Sequence, residues 1–101
     1  MSEKEIESYF KKQVESIGGL CYKLTCPGVA GVPDRMCLLP DGKVAFVEVK
    51  AAGGKLSARQ KRVIGDMAVR GHSVRVVRSL ADVDILILKL AASVGGAAYG
   101  R

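Results

Sequence analysis

The stretch Val44-Ala45-Phe46-Val47-Glu48-Val49-Lys50 decides how this chain is read. Its β-branched and aromatic residues suit a pleated strand, and alternation puts Val47 and Val49 on one face and Glu48 and Lys50 on the other. The preceding Pro40-Asp41-Gly42-Lys43 is a turn signal, and Arg35 to Leu39 before it is a second strand-compatible run, so the two predict a hairpin. After the strand, Gly53-Gly54 breaks the chain, and Ser57 caps a helix expected to reach Arg70 with Val63, Ile64, Met67 and Ala68 facing inward. Gly71 ends that helix, and Ser73 to Arg78 alternates as a further strand.

Outward from this centre, Ser2 and Glu5 fit a capping box, and Ile6, Tyr9, Phe10, Val14 and Ile17 recur at helical spacing until Gly18-Gly19. Leu20 to Thr25 reads as a short strand, and the loop from Cys26 to Pro33, with two prolines and two glycines, excludes regular structure. At the other end, Ser79 and Asp82 cap a segment to about Leu90. Its Ile85-Leu86-Ile87-Leu88 core is apolar on every side and fits strand or helix, and the cap favours helix. Residues 1–92 are expected to form one domain and 93–101, rich in Gly and Ala, a flexible tail. The resulting order, αβββαβα, predicts an α/β fold with a mixed four-stranded sheet flanked by helices.

A chain of 101 residues has room for one hydrophobic core. With two Phe, three Tyr and no Trp, that core is aliphatic and modest, which favours a homodimer. The net charge of +6 favours an anionic partner such as DNA, although simple solubility would also account for it. Cys21, Cys26 and Cys37 are odd in number and lack CxxC spacing, which argues against a disulfide framework or a zinc site and for reduced thiols in an intracellular protein. No apolar signal region opens the chain, and the most apolar late stretch is short and interrupted by Lys89, so a membrane partner is not expected.

The chemistry lies on the hairpin. Glu48 and Lys50 stand side by side, and Asp34, just after the Gly31-Val32-Pro33 corner, is placed for its carboxylate to approach Glu48 across the strands. Two carboxylates with the carbonyl of Val49 are the hard oxygen donors that Mg²⁺ or Mn²⁺ takes, leaving other positions to water and substrate phosphate. Such an ion polarises a phosphoryl oxygen and acidifies bound water, and Lys50 supplies positive charge to the reacting phosphate. Taken singly, an Asp after Pro is an ordinary turn former, and Glu-Val-Lys on a strand an ordinary surface ion pair.

In combination they carry more. Gly31-Val32-Pro33-Asp34-Arg35, then Phe46-Val47-Glu48-Val49-Lys50-Ala51, then Leu56-Ser57-Ala58-Arg59-Gln60 closely resemble the VRR-NUC family, the virus-type replication-repair nucleases of the PD-(D/E)xK superfamily. The resemblance runs from the first helix to about Arg78. It implies a restriction-endonuclease-like core, divalent-metal catalysis, and Asp34, Glu48 and Lys50 as the signature triad. It also implies a metal-side glutamate on the first helix, carried onto Glu7 with Glu3 as competitor, and a helix-two glutamine, Gln60, that hydrogen-bonds the attacking water or a catalytic carboxylate. Small stand-alone members resemble Holliday junction resolvases that act as dimers on branched DNA. The implied function is therefore a structure-selective DNA endonuclease acting on four-way junctions. A flap nuclease, or a non-catalytic DNA-binding module on the same scaffold, is the alternative. Lys23, Arg35, Lys55, Ser57, Arg59 and Arg62, with Lys61 and Arg75, are expected to border the catalytic side and hold phosphates, which selects DNA shape rather than sequence. His72, after Gly71, is read as a turn residue.

Overall fold

The computed structural model describes residues 1–94. Its elements are α1 (Glu3–Ser16), β1 (Leu20–Lys23), β2 (Arg35–Leu38), β3 (Val44–Val49), α2 (Ala58–Val69), β4 (Val74–Val77) and α3 (Leu80–Val94). The sheet runs β1-β2-β3-β4, antiparallel between the first three strands and parallel between β3 and β4. The α/β class, the mixed four-stranded sheet and the αβββαβα order are those read from the sequence.

Local chemistry sets the boundaries. Ser2 and Glu5 form a reciprocal capping box on α1, and Ser57 and Gln60 form another on α2. Gly71 takes φ +87°, and His72 N–H donates to the carbonyl of Met67, closing α2 as Gly after a helix commonly does. The apolar run 85–88 is helical, with Ser79 Oγ accepting from Asp82 N–H at 3.0 Å. The expected tail at 93–101 is corrected at its start, since α3 continues through Val94. Ala91 and Ala92 are strong helix formers and carry it past Leu90. The rest of that expectation lies outside the described residues.

Strand register divides the side chains into two layers. Cys21, Cys37 and Ala45 align, as do Lys23, Arg35, Val47 and Arg75, and Val49 opposes Val77. These share the face covered by α1 and α3, where Ile6, Phe10, Val14, Val47, Val49, Val77, Val83 and Leu86 form the main core. The thiols of Cys21 and Cys37 lie buried in it, whereas Cys26 is exposed. On the other face are Leu20, Leu38 and Val44 in one row, Tyr22, Met36, Phe46 and Val74 in the next, then Glu48 and Val76.

Helix α2 reaches the sheet on this second face, chiefly at β4. Its expected inner stripe is only partly realised. No α2 residue is buried, Val63, Ile64 and Met67 are intermediate, and Ala68 is exposed, because the helix sits at one edge of the sheet and leaves β1 and β2 uncovered. Phe10, fully buried at the centre of the α1 layer, carries the most apolar surface of the core. Phe10→Ala is expected to lower unfolding free energy by about 3–5 kcal/mol, measured by urea denaturation, whereas a change at the exposed Val69 should fall within about 0.5 kcal/mol.

Candidate active site

Strand β2 begins only at Arg35, because the Pro33 before Asp34 has no N–H to give a ladder. Beyond the last paired residue the Asp34 side chain continues the contact with β3, and Val49 N–H donates to Asp34 Oδ2 at 2.8 Å. Its own carbonyl accepts from Leu24 N–H at 2.9 Å, fastening it to the end of β1 as well. Asp34 is one residue beyond the Arg35–Val47 pair, so it stands opposite Glu48 and on the same face.

Glu48 is 3% exposed, and it is the charged residue of the buried set among the described residues. Gln60 Nε2 donates to its Oε2 at 2.9 Å, and Lys50 Nζ lies 3.6 Å from the same oxygen. Burial, then repulsion from Asp34, pushes the Glu48 pKa up to about 7, against partial relief from Lys50. Asp34, Glu48, Lys50 and Gln60 are thus brought together at the end of β3.

The remaining expected residues separate into groups. Glu7 is not with the pair, since Arg35 Nε donates to its Oε2 at 2.7 Å and Lys23 Nζ lies 3.7 Å away. Among the described residues no group of three or more His, Cys, Asp or Glu converges as a metal cage. Glu3 is exposed in the first turn of α1. Lys23, Arg35 and Arg75 share the Val47 face, opposite Glu48, which corrects their expected place on the catalytic side. Adjacent strand residues point to opposite faces, so Arg35 turns away from the site that Asp34 enters. Lys55, Ser57, Arg59, Lys61 and Arg62 are exposed on the α2 side. Arg59 and Arg62 line a groove of about 430 Å³ with Val29, Ala30, Ala58, Val63 and Asp66. The ring of His72 meets Phe46 edge-on at 6.3 Å, away from the carboxylates in the sheet register.

Two supporting residues had no role in the sequence reading. Gly31 adopts φ +90°, and a Cβ there would lie 2.8 Å from Arg59 Cγ and 3.0 Å from the Arg59 carbonyl. The loop bearing Asp34 therefore seats on the first turn of α2 only because Gly31 lacks a side chain. Its position in the Gly-Val-Pro-Asp corner was the available signal. Arg78 Nε donates to the Gly54 carbonyl at 3.1 Å and holds the segment after Lys50, and nothing in the sequence marks that contact.

The donor chemistry fits a hard divalent cation of modest protein coordination. Asp34 keeps Oδ1 beyond its backbone bond, and Glu48 is a carboxylate raised in pKa by burial and then by a second carboxylate, the situation a cation relieves.

Residues 4–81 match the model of the VRR-NUC domain. The chain belongs to the VRR-NUC family. It is 44% identical over 77 residues to "Putative nuclease p44" of Acyrthosiphon pisum secondary endosymbiont phage 1, covering 76% of this chain and 83% of the relative. A solved structure described as a VRR-NUC domain superposes with a TM-score of 0.82 at 37% identity, over 87% of this chain and 97% of that one.

The raised pKa has a sign that can be measured. Between about 4.5 and about 7 the folded protein keeps a proton on Glu48 that the unfolded chain has released, so this group's stabilising contribution is lost as pH rises through that window. In chelator-containing buffer, Glu48→Gln is expected to be more stable than the parent at pH 8 by about 1–3 kcal/mol, with the difference shrinking toward pH 4.5. A difference independent of pH in denaturation experiments would contradict the assignment.

Proposed function

We propose that the chain is a divalent-metal-dependent, structure-selective DNA endonuclease, with four-way junctions as its preferred substrate. One observation carries the reading. Asp34, Glu48, Lys50 and Gln60, from a loop, a strand end and a helix start, converge on one buried carboxylate at an edge bordered by the exposed cations Lys55, Arg59 and Arg62. The nuclease family to which the chain belongs, and the phage relative's name, support the same chemistry.

Asp34, Glu48 and the Val49 carbonyl are the groups that would hold Mg²⁺ or Mn²⁺, and the helix-one candidate Glu7 would first have to release Arg35. When bound, such an ion supplies Lewis acidity toward the phosphate and lowers the pKa of a water toward neutrality. Lys50 keeps a positive charge beside Glu48, where negative charge accumulates on the phosphoryl group in the transition state. Gln60 restrains Glu48, and the Asp34 loop excludes rotation of the second carboxylate away from it. Lys55, Arg59 and Arg62 contact phosphates without reading bases, which selects for shape. Lys23 and Arg35 would act on DNA only around the β1–β2 edge, since they face α1 and Glu7.

A symmetric junction needs two cuts, and a second copy of this chain supplies the second site. Leu20, Tyr22 and Val44 are each about half exposed on the sheet face that α2 leaves open, beside the half-buried Met36, Leu38 and Phe46. Contiguous apolar surface of this kind marks an interface. No helix among the described residues is long and apolar enough to cross a membrane. Free thiols and a DNA substrate fit the interior of a bacterial or phage-infected cell.

Incubated with Mn²⁺ or Mg²⁺, the protein is expected to cleave four-way junctions in preference to flaps and linear duplex. Lys50→Ala should lose at least about a hundredfold of the rate, and excess chelator should abolish cleavage. If the wild-type protein leaves all three substrates intact with either metal, the enzymatic reading is wrong. Light scattering is expected to give twice the monomer mass, and Tyr22→Glu to give the monomer. A wild-type monomer would refute the dimer.

A further inference from the structure

Two helices of this chain begin with the same device but with different residues in the third position. At α1, Ser2 N–H donates to Glu5 Oε1 and Glu5 N–H to Ser2 Oγ, both at 3.1 Å, and the glutamate has only acceptors. At α2, Ser57 N–H donates to Gln60 Oε1 at 2.9 Å and Gln60 N–H to Ser57 Oγ at 3.0 Å. A backbone N–H donates and never accepts, so it fixes which end of the Gln60 amide faces it. The oxygen is taken by the cap, and the Nε2 end projects to Glu48 Oε2 at 2.9 Å.

We propose that Ser57 is a positioning residue of the candidate active site, whose reciprocal cap on α2 orients the Gln60 amide so that it donates to Glu48. The inference rests on the nuclease reading for its kinetic consequence and on the hydrogen-bond geometry for everything else. It decides between the two roles open to Gln60. With Oε1 held by Ser57 N–H and Nε2 directed to Glu48, Gln60 takes the second of these roles and acts on the carboxylate as a donor. It also accounts for the choice of glutamine over glutamate. A glutamate completes the cap equally well, as at Ser2, but would turn an acceptor toward a buried carboxylate. The hydroxyl oxygen of Ser57, a residue expected to contact DNA, accepts within the helix terminus.

The chain has two glutamines, Gln13 and Gln60, which supplies an internal reference. In metal-free protein, nitrogen-15 NMR is expected to show the side-chain amide of Gln60 exchanging with water at least about tenfold more slowly than that of Gln13. Ser57→Ala should abolish that difference, and Ser57→Thr should restore it. On cleaved DNA, Ser57→Ala is expected to lower kcat about tenfold or more with KM unchanged, again with rescue by Ser57→Thr. Gln60→Glu should keep helical content and thermal midpoint, because the cap survives, yet lose kcat to a similar extent. A DNA-contact role predicts raised KM with kcat and amide exchange intact in Ser57→Ala, and that result overturns the proposal. So does an unprotected Gln60 amide in the wild type, or full activity of Gln60→Glu. If the wild type cleaves nothing while its Gln60 amide shows the predicted protection and Ser57 dependence, the nuclease reading fails and the positioning role stands.

Discussion

The site depends on one hydrogen bond, from Val49 N–H to the carboxylate of Asp34. A charge-assisted bond of 2.8 Å joins the loop after the Pro33 corner to the end of the central strand. Turning the carboxylate outward would leave Val49 N–H without its partner, at a cost of about 1–3 kcal/mol. Asp34 is therefore held opposite Glu48, and the repulsion between them follows from backbone geometry. Lys50 and Gln60 are what make that repulsion tolerable in the absence of a cation.

What the sequence made legible follows from how local the physics is. The caps at Ser2 and Ser57 involve residues three apart, and the alternation of β3 separates Glu48 from Val47 without reference to the rest of the chain. The antiparallel hairpin followed from the turn and the mixed sheet from the element order, while the parallel pairing of β3 with β4 came with the structure. What escaped were contacts set by register and by backbone approach. Arg35 follows Asp34 in the chain and was grouped with it, yet the pleat that places Asp34 beside Glu48 sends Arg35 to Glu7 on the other face. Glu7 is placed on the first helix by resemblance, but the cation it meets can be named only once β2 has a register. Gly31 was visible as part of a corner, while its need for no Cβ depends on where Arg59 lies.

The two faces of the sheet hold their elements by different means. Under α1 and α3, the buried aliphatic residues and Phe10 supply a packed core, and the Arg35–Glu7 pair seals its edge at 13% and 17% side-chain exposure. On the α2 side no helix residue is buried, so hydrophobic burial contributes little to fixing the helix. Its position rests on polar and steric locks near its first turn. These are the Gln60–Glu48 bond and the seating of Gly31 on Arg59, and the Arg78 contact to Gly54 secures the segment that leads into the helix.

That division bears on how a small protein accommodates a bulky polymer. Elements with few buried contacts open at a lower free energy than the whole fold, so local opening of α2 would leave the α1–α3 core intact. Gln60 and the Asp34 loop sit on this layer of fewer buried contacts, and the strand that carries Glu48 and Lys50 is anchored by Val47 and Val49 in the tighter one. The same strand thus serves both layers by its alternation. One face packs into the core and fixes the strand in space, and the other turns the buried Glu48 carboxylate toward Gln60 at the start of α2.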